Sequence, residues 1–326
     1  MPDLYQQHLE RAARALNAGQ PFDGSAKSEE VIKGVLGKIK AIVGPTNMPP
    51  VEQEAQATEA LEALRNGEKP TPQQLGALEF IVRMMRPVPF SRASRLDDLN
   101  EDVAPAFPDW SHFQGAAQSF LYSIARIDLA PKTPVGTGFL VAGGLLVTNR
   151  HVLDVLSRGT GLLEKGQAVV RFKYEYGSGE DEPPIAVLRA VATHPRLDLS
   201  LLEIEEPEEG NSRQPVEVDE AAVEVGHPVV AVGYPLDDSK RNPLFLNALF
   251  WGVFGVKRAA PGEVAGHGPQ TLLHDCSTVG GNSGSPVFSM KTGRVIGIHR
   301  EGFFLYRNEA VDGASLKEFV NTHAKD

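Results

Sequence analysis

One stretch constrains this chain more than any other: Gly281-Asn282-Ser283-Gly284-Ser285-Pro286, with Cys276-Ser277-Thr278-Val279-Gly280 before it and Val287-Phe288 after it. The surroundings are strand-like. Glycines this closely spaced let the backbone turn sharply between extended segments. The Ser283 hydroxyl is then presented outward, and neighbouring backbone N–H groups are left to point at a developing oxyanion. Taken alone, the hexapeptide also reads as an ordinary Gly/Ser turn.

Two upstream segments favour the chemical reading. Gly136-Thr137-Gly138-Phe139-Leu140-Val141 and Leu145-Leu146-Val147-Thr148 predict two short strands joined by the Ala142-Gly143-Gly144 turn, leading to His151. Further on, His194-Pro195-Arg196-Leu197-Asp198-Leu199-Ser200-Leu201-Leu202 sets one carboxylate in an apolar, strand-like run. An unpaired charge there is costly, so Asp198 needs a polar partner, and the His151 imidazole is the natural one. A serine hydroxyl is a poor nucleophile at neutral pH unless a base of fixed tautomer lies within reach. His151 taking the Ser283 proton, with Asp198 holding the ring, supplies both. Singly, His151 reads as a surface or packed residue and Asp198 as a turn or cap.

With these motifs in the order His, Asp, Ser, the chain resembles the chymotrypsin-like (trypsin-like) serine peptidases. Its local wording is nearest the bacterial V8/glutamyl-endopeptidase-like branch and more distantly the HtrA proteases. The matching blocks are 136–141, 147–153, 197–202 and 277–288, with weaker ones at 230–235 and 295–299. The resemblance covers the last two-thirds of the chain. It implies an all-β double β-barrel, an acyl-enzyme mechanism with His151, Asp198 and Ser283 as catalytic residues, no cofactor and no metal. Asp154, Asp181, Asp219 and Asp275 are rival acids, set aside because none sits in an apolar strand with the family's wording around it.

By the family's geometry the backbone N–H groups of Gly281 and Ser283 form the oxyanion hole. Asn282 departs from the digestive branch, whose aspartate pairs with a newly cut N-terminus; an amide cannot make that ion pair. Thr278 and His299 match polar residues lining the primary pocket of glutamyl endopeptidases, and both donate hydrogen bonds suited to a carboxylate. The implied preference is glutamate or aspartate before the cut bond; the plainer reading is that His299 packs in its strand. Arg300-Glu301-Gly302 replaces the family's aromatic-glycine-glycine. Arg300 reinforces an acidic preference, or Glu301 narrows the cleft and opposes it; the 300–302 backbone is expected to pair with substrate as an added strand. His274, His194 and His227 read as structural. Cys276 reads as a small buried core residue.

The 326 residues allow one large or two ordinary domains, and 41% hydrophobic content is enough for real cores. A net charge of −10 argues against nucleic-acid or anionic-membrane partners. One cysteine, no membrane-length apolar run and a start without a basic or apolar leader favour a cytoplasmic protein. Residues 1–87 read as a small α-helical domain, adaptor or regulatory, of four helices. Val31, Ile32, Val35, Leu36, Ile39 and Ile42 follow helical spacing from Ser28 to Gly44-Pro45. Thr71-Pro72-Gln73-Gln74 is a capping box opening a helix over Leu75, Leu78, Ile81, Val82 and Met85. Weaker helices span about 3–17 and 52–66. Residues 88–113 read as an acidic, proline-containing linker, a site of self-processing if the enzyme cuts after acidic residues.

The peptidase domain is expected over 114–326. Its first strand should cover 119–127, the first barrel should reach about 225 and the second about 312, with a short helix at 315–320. The expected function is a serine endopeptidase acting on protein or peptide substrates, regulated by the helical domain through a possible protein partner. The alternative is a catalytically silent protease-like binding or signalling module.

Overall fold

The computed structural model describes residues 12, 16, 27–86, 88–178, 183–205, 213–238, 243–303 and 307–324. The helix expected over 3–17 therefore lies outside the described residues apart from Ala12 and Leu16, which are helical and buried. Asp181 and Pro87 lie outside them too.

Three helices open the described chain: α1 (Ser28–Val43), α2 (Val51–Arg65) and α3 (Pro72–Met84). Each buries the stripe its spacing dictates: Ile32, Val35, Leu36 and Ile39 on α1, and Ala57, Ala60, Leu61 and Leu64 on α2. The α3 capping box forms as expected. Thr71 Oγ1 accepts from the Gln74 N–H at 3.2 Å, and Gln74 Oε1 accepts from the Thr71 N–H at 2.8 Å. From Ala77 to Met84, α3 is buried all round, Glu79 and Arg83 included, which marks a helix enclosed by other elements rather than lying on a surface. It packs between α1 and α2 on one side and α6 (Pro243–Phe250) on another. The motif reading had assigned nothing to α6; its Leu246, Ala248, Leu249 and Phe250 are buried.

The rest forms two closed, six-stranded antiparallel barrels. A two-stranded hairpin, β1 (Ser91–Arg92) and β2 (Arg95–Leu96), precedes them. The first barrel contains β3 (Ile124–Leu129), β4 (Thr133–Ala142), β5 (Leu145–Thr148), β6 (Ala168–Arg171), β7 (Ile185–Thr193) and β8 (Ser200–Ile204), in the order β3-β4-β5-β8-β7-β6. The second contains β9 (Pro228–Gly233), β10 (Arg258–Gly268), β11 (Thr271–His274), β12 (Pro286–Ser289), β13 (Val295–Phe303) and β14 (Arg307–Asp312), in the order β10-β11-β14-β13-β12-β9. This is the double-barrel, chymotrypsin-like fold with a helical region in front.

The first strand starts later than 119, because Leu121–Ser123 form a 3-10 turn ahead of Ile124. Residues 88–113 are packed rather than extended as a free connection. Val88, Phe90, Leu96, Leu99, Val103, Phe107, Trp110 and Phe113 are buried between the acidic positions. Phe90 bridges to Arg258 of β10, and helix α4 (Trp110–Ala117) includes Gln114, where the peptidase part was expected to begin. One apolar cluster runs from Ile32 and Ile39 through Ile81 to Val230, Phe288 and Ile298, so the helices and the second barrel share a core. A second cluster, with Ile127, Leu146, Leu156 and Phe172, fills the first barrel. Helix α7 (Gly313–His323), capped by Asp312 Oδ1 on the Ser315 N–H at 2.8 Å, buries Leu316, Phe319 and Val320.

Candidate active site

His151 sits in the first turn of a short helix, α5 (Arg150–Leu156), directly after β5. Its Nδ1 lies 2.7 Å from Asp198 Oδ2, and its backbone N–H donates to Asp198 Oδ1 at 3.0 Å. The carboxylate therefore grips the histidine twice, fixing the ring and favouring the tautomer with hydrogen on Nδ1. Burial alone would raise the Asp198 pKa, but the His151 side chain and backbone, with Arg150, hold it below the usual carboxylate value. The residue stays ionised at neutral pH.

Asp198 was expected inside a strand; it lies in a turn, and β8 begins only at Ser200. The cause is local. His194 Nδ1 accepts from the N–H groups of Arg196 and Leu197 at 3.1 and 2.8 Å, and the His194 N–H donates to the Leu199 carbonyl at 2.9 Å. These bonds curl 195–198 into a loop. Asn149, which the sequence reading passed over, steadies it by donating Nδ2 to the Asp198 carbonyl at 3.0 Å.

Ser283 is half-buried in the loop leading into β12. Thr137, between two glycines of β4, clamps this loop: its N–H donates to the Ser283 carbonyl at 2.8 Å and its Oγ1 to the Gly281 carbonyl at 2.8 Å. A signal for this role was present in the Gly136-Thr137-Gly138 triplet. A Cβ at Gly136 would press on Val152 and the Ser283 carbonyl. Gly281 and Gly284 have φ of +85° and +87°, and a side chain at either would run into backbone, Tyr234 O for the first and Thr137 O for the second. Only glycine meets both demands. Among the described residues, no backbone carbonyl accepts from the N–H of Gly281 or Ser283.

The residues expected to line the pocket lie on β13 and on the segment between β11 and β12. His299 is 3% exposed, and its Nδ1 lies 3.1 Å from Nε2 of the fully buried His274. Burial, then His274 and His151, push the His299 pKa well below 6.5, and burial takes His274 down to about 4. Both rings are neutral at pH 7. Thr278 is half-buried and adjoins Gly302, where an added Cβ would stand 3.7 Å from Thr278 Oγ1. Arg300 is ion-paired with Glu309 on the neighbouring strand β14, so its charge is answered within the sheet.

The rival acids stand elsewhere. Asp154 is exposed on α5, Asp219 Oδ1 caps the Ala221 N–H, and Asp275 is buried against Arg86. His227 bonds Ser289 at 2.8 Å. Cys276 is buried, and burial raises its thiol to about 12, which leaves it unreactive. Among the described residues no cluster of three or more His, Cys, Asp or Glu is placed to hold a metal, and no helix is long and apolar enough to cross a membrane.

A protein of Staphylococcus epidermidis named glutamyl endopeptidase is 30% identical over 174 residues, 51% of this chain and 54% of that protein. The chain thus spans about half the length of the curated relatives it matches. Among solved structures, the serine endoprotease from Yersinia pestis superposes with a TM-score of 0.48 at 19% identity, over 66% of this chain and 67% of that one. Deg5 superposes with a TM-score of 0.47 at 20% identity, over 68% of this chain and 95% of its own. The family profile described as trypsin-like peptidase domain matches residues 136–298, half of the chain, so this protein belongs to the trypsin-like peptidase family.

Proposed function

We propose that the chain is a serine endopeptidase that cuts protein or peptide substrates after glutamate or aspartate. The observations that carry the reading are the double grip of Asp198 on His151 and the glycine-shaped loop that holds Ser283. Ser283 Oγ attacks the scissile carbonyl while His151 Nε2 takes its proton. The negative oxygen is met by the Gly281 and Ser283 N–H groups, and the leaving amine receives the proton from His151. The acyl ester on Ser283 is then hydrolysed by water activated at the same nitrogen.

The acidic preference is supported by chemistry at the pocket. His299 Nδ1 faces His274, which leaves Nε2 as the nitrogen for a substrate carboxylate, alongside the Thr278 hydroxyl. A site built to hydrogen-bond a substrate group rejects substrates lacking it. The similarity to a glutamyl endopeptidase points the same way. With Arg300 engaged by Glu309, Thr278 and His299 carry the preference without it. The helical region acts on the peptidase through the second barrel, whose core it shares.

Cleavage profiling with a peptide library tests the specificity. Glutamate before the cut bond is expected to exceed lysine or arginine by at least about 100-fold in kcat/KM. A preference for basic residues would overturn the assignment of Thr278 and His299.

A further inference from the structure

The helical region reaches the pocket through two buried arginines. Arg86, just beyond the C-terminal end of α3, is 2% exposed and ion-paired with Asp275, itself 2% exposed, with Glu263 Oε1 at 3.8 Å. Burial alone would lower the Arg86 pKa; Asp275 and Glu263 outweigh it and raise it. The other oxygen of Asp275, Oδ1, accepts from the Glu263 N–H at 2.7 Å. Arg83, one turn earlier and also buried, donates Nη1 to the Cys276 carbonyl at 3.4 Å. The same carbonyl accepts from Asn308 Nδ2 at 2.5 Å.

Residues 274–278 therefore face two ways. His274 bonds His299, and Thr278 adjoins Gly302, on the pocket side. Asp275 and the Cys276 carbonyl are held from behind by Arg86 and Arg83 at the α3 end, and the carbonyl also by Asn308 of β14. Asn308 also neighbours Gly302, where an added Cβ would stand 2.7 Å from its Oδ1. A buried ion pair contributes little net stability relative to an apolar pair, and its better-attested use is to specify one arrangement.

We infer that Arg86 and Arg83 are positioning residues for substrate specificity, fixing the 274–278 wall of the pocket so that Thr278 and His299 converge on an acidic side chain. This rests on the endopeptidase reading above. It makes the helical region a built-in part of the specificity pocket rather than a detachable appendage.

Two variants test it in the full-length chain. Arg86→Met/Asp275→Asn exchanges the buried pair for neutral groups of similar volume, and a thermal melt checks that the fold survives the loss of Arg86 beside Glu263. Arg83→Met keeps the apolar stem and removes the bond to Cys276. Each is read by steady-state kinetics on a peptide with glutamate before the cut, and by the rate of labelling with a fluorophosphonate, which needs Ser283 and His151 but not the pocket.

In both, KM is expected to rise about tenfold while kcat and the labelling rate stay within about threefold. An unchanged KM in both variants overturns the inference. So does an equal loss of labelling and turnover, because the arginines would then support the whole barrel rather than the pocket. A wild-type protein that does not label at all fails differently: it removes the endopeptidase reading, and this inference with it.

Discussion

Asp198 holds His151 at both its Nδ1 and its backbone N–H, at 2.7 and 3.0 Å. On the proposed mechanism, the amide of Asp198→Asn still reaches the ring but no longer requires hydrogen on Nδ1, so the wrong tautomer becomes available and Nε2 no longer accepts the serine proton. The expected loss in kcat is on the order of 10⁴, with KM little changed. Steady-state kinetics on a glutamyl peptide checks this; a loss below about tenfold would mean that another group orients the base. Around Ser283 the constraint is steric. Gly281 and Gly284 combine left-handed φ with backbone contacts that leave no room for a side chain.

At the scale of elements, β11 and β13 bring two buried histidines together, Nε2 of His274 against Nδ1 of His299. Both have depressed pKa values, His274 at about 4. The unfolded chain takes up their protons near pH 6.5 while the folded chain does not. Stability from these groups is therefore complete above about pH 6.5 and is lost as pH falls toward 4, His274 alone amounting to roughly 3 kcal/mol. Thermal melts at pH 7 and 4.5 should show a marked fall for the wild type and a smaller one for His274→Gln; equal falls would contradict the buried neutral pair.

Much of the element pattern was legible in the sequence, because periodicity and caps are local. The α1 stripe, the Thr71–Gln74 capping box and the β4–β5 turn needed only nearby residues. The loop at 195–198 was not legible as a loop, since the curling bonds come from the His194 side chain rather than from a glycine or turn dipeptide. The Arg86–Asp275 pair joins residues far apart in the chain and leaves no local trace, and of the Thr137 clamp on the serine loop only the flanking glycines were visible.

For the whole molecule, the front helices and the second barrel share one apolar core, and the segment at 88–113 is buried along much of its length. Its acidic residues suggested a solvated connection, but the aromatic residues between them decide the packing. Phe90, Phe107, Trp110 and Phe113 each remove a large apolar surface from water. On the proposed function, activity depends on the meeting of the barrels: His151 follows β5 and Asp198 precedes β8 of the first, and Ser283 precedes β12 of the second. Labelling of the purified protein by a fluorophosphonate tests that meeting most directly. A stoichiometric adduct on Ser283, absent in Ser283→Ala and slowed in His151→Ala, is the predicted result. A well-folded wild-type protein that never acquires the adduct would contradict it.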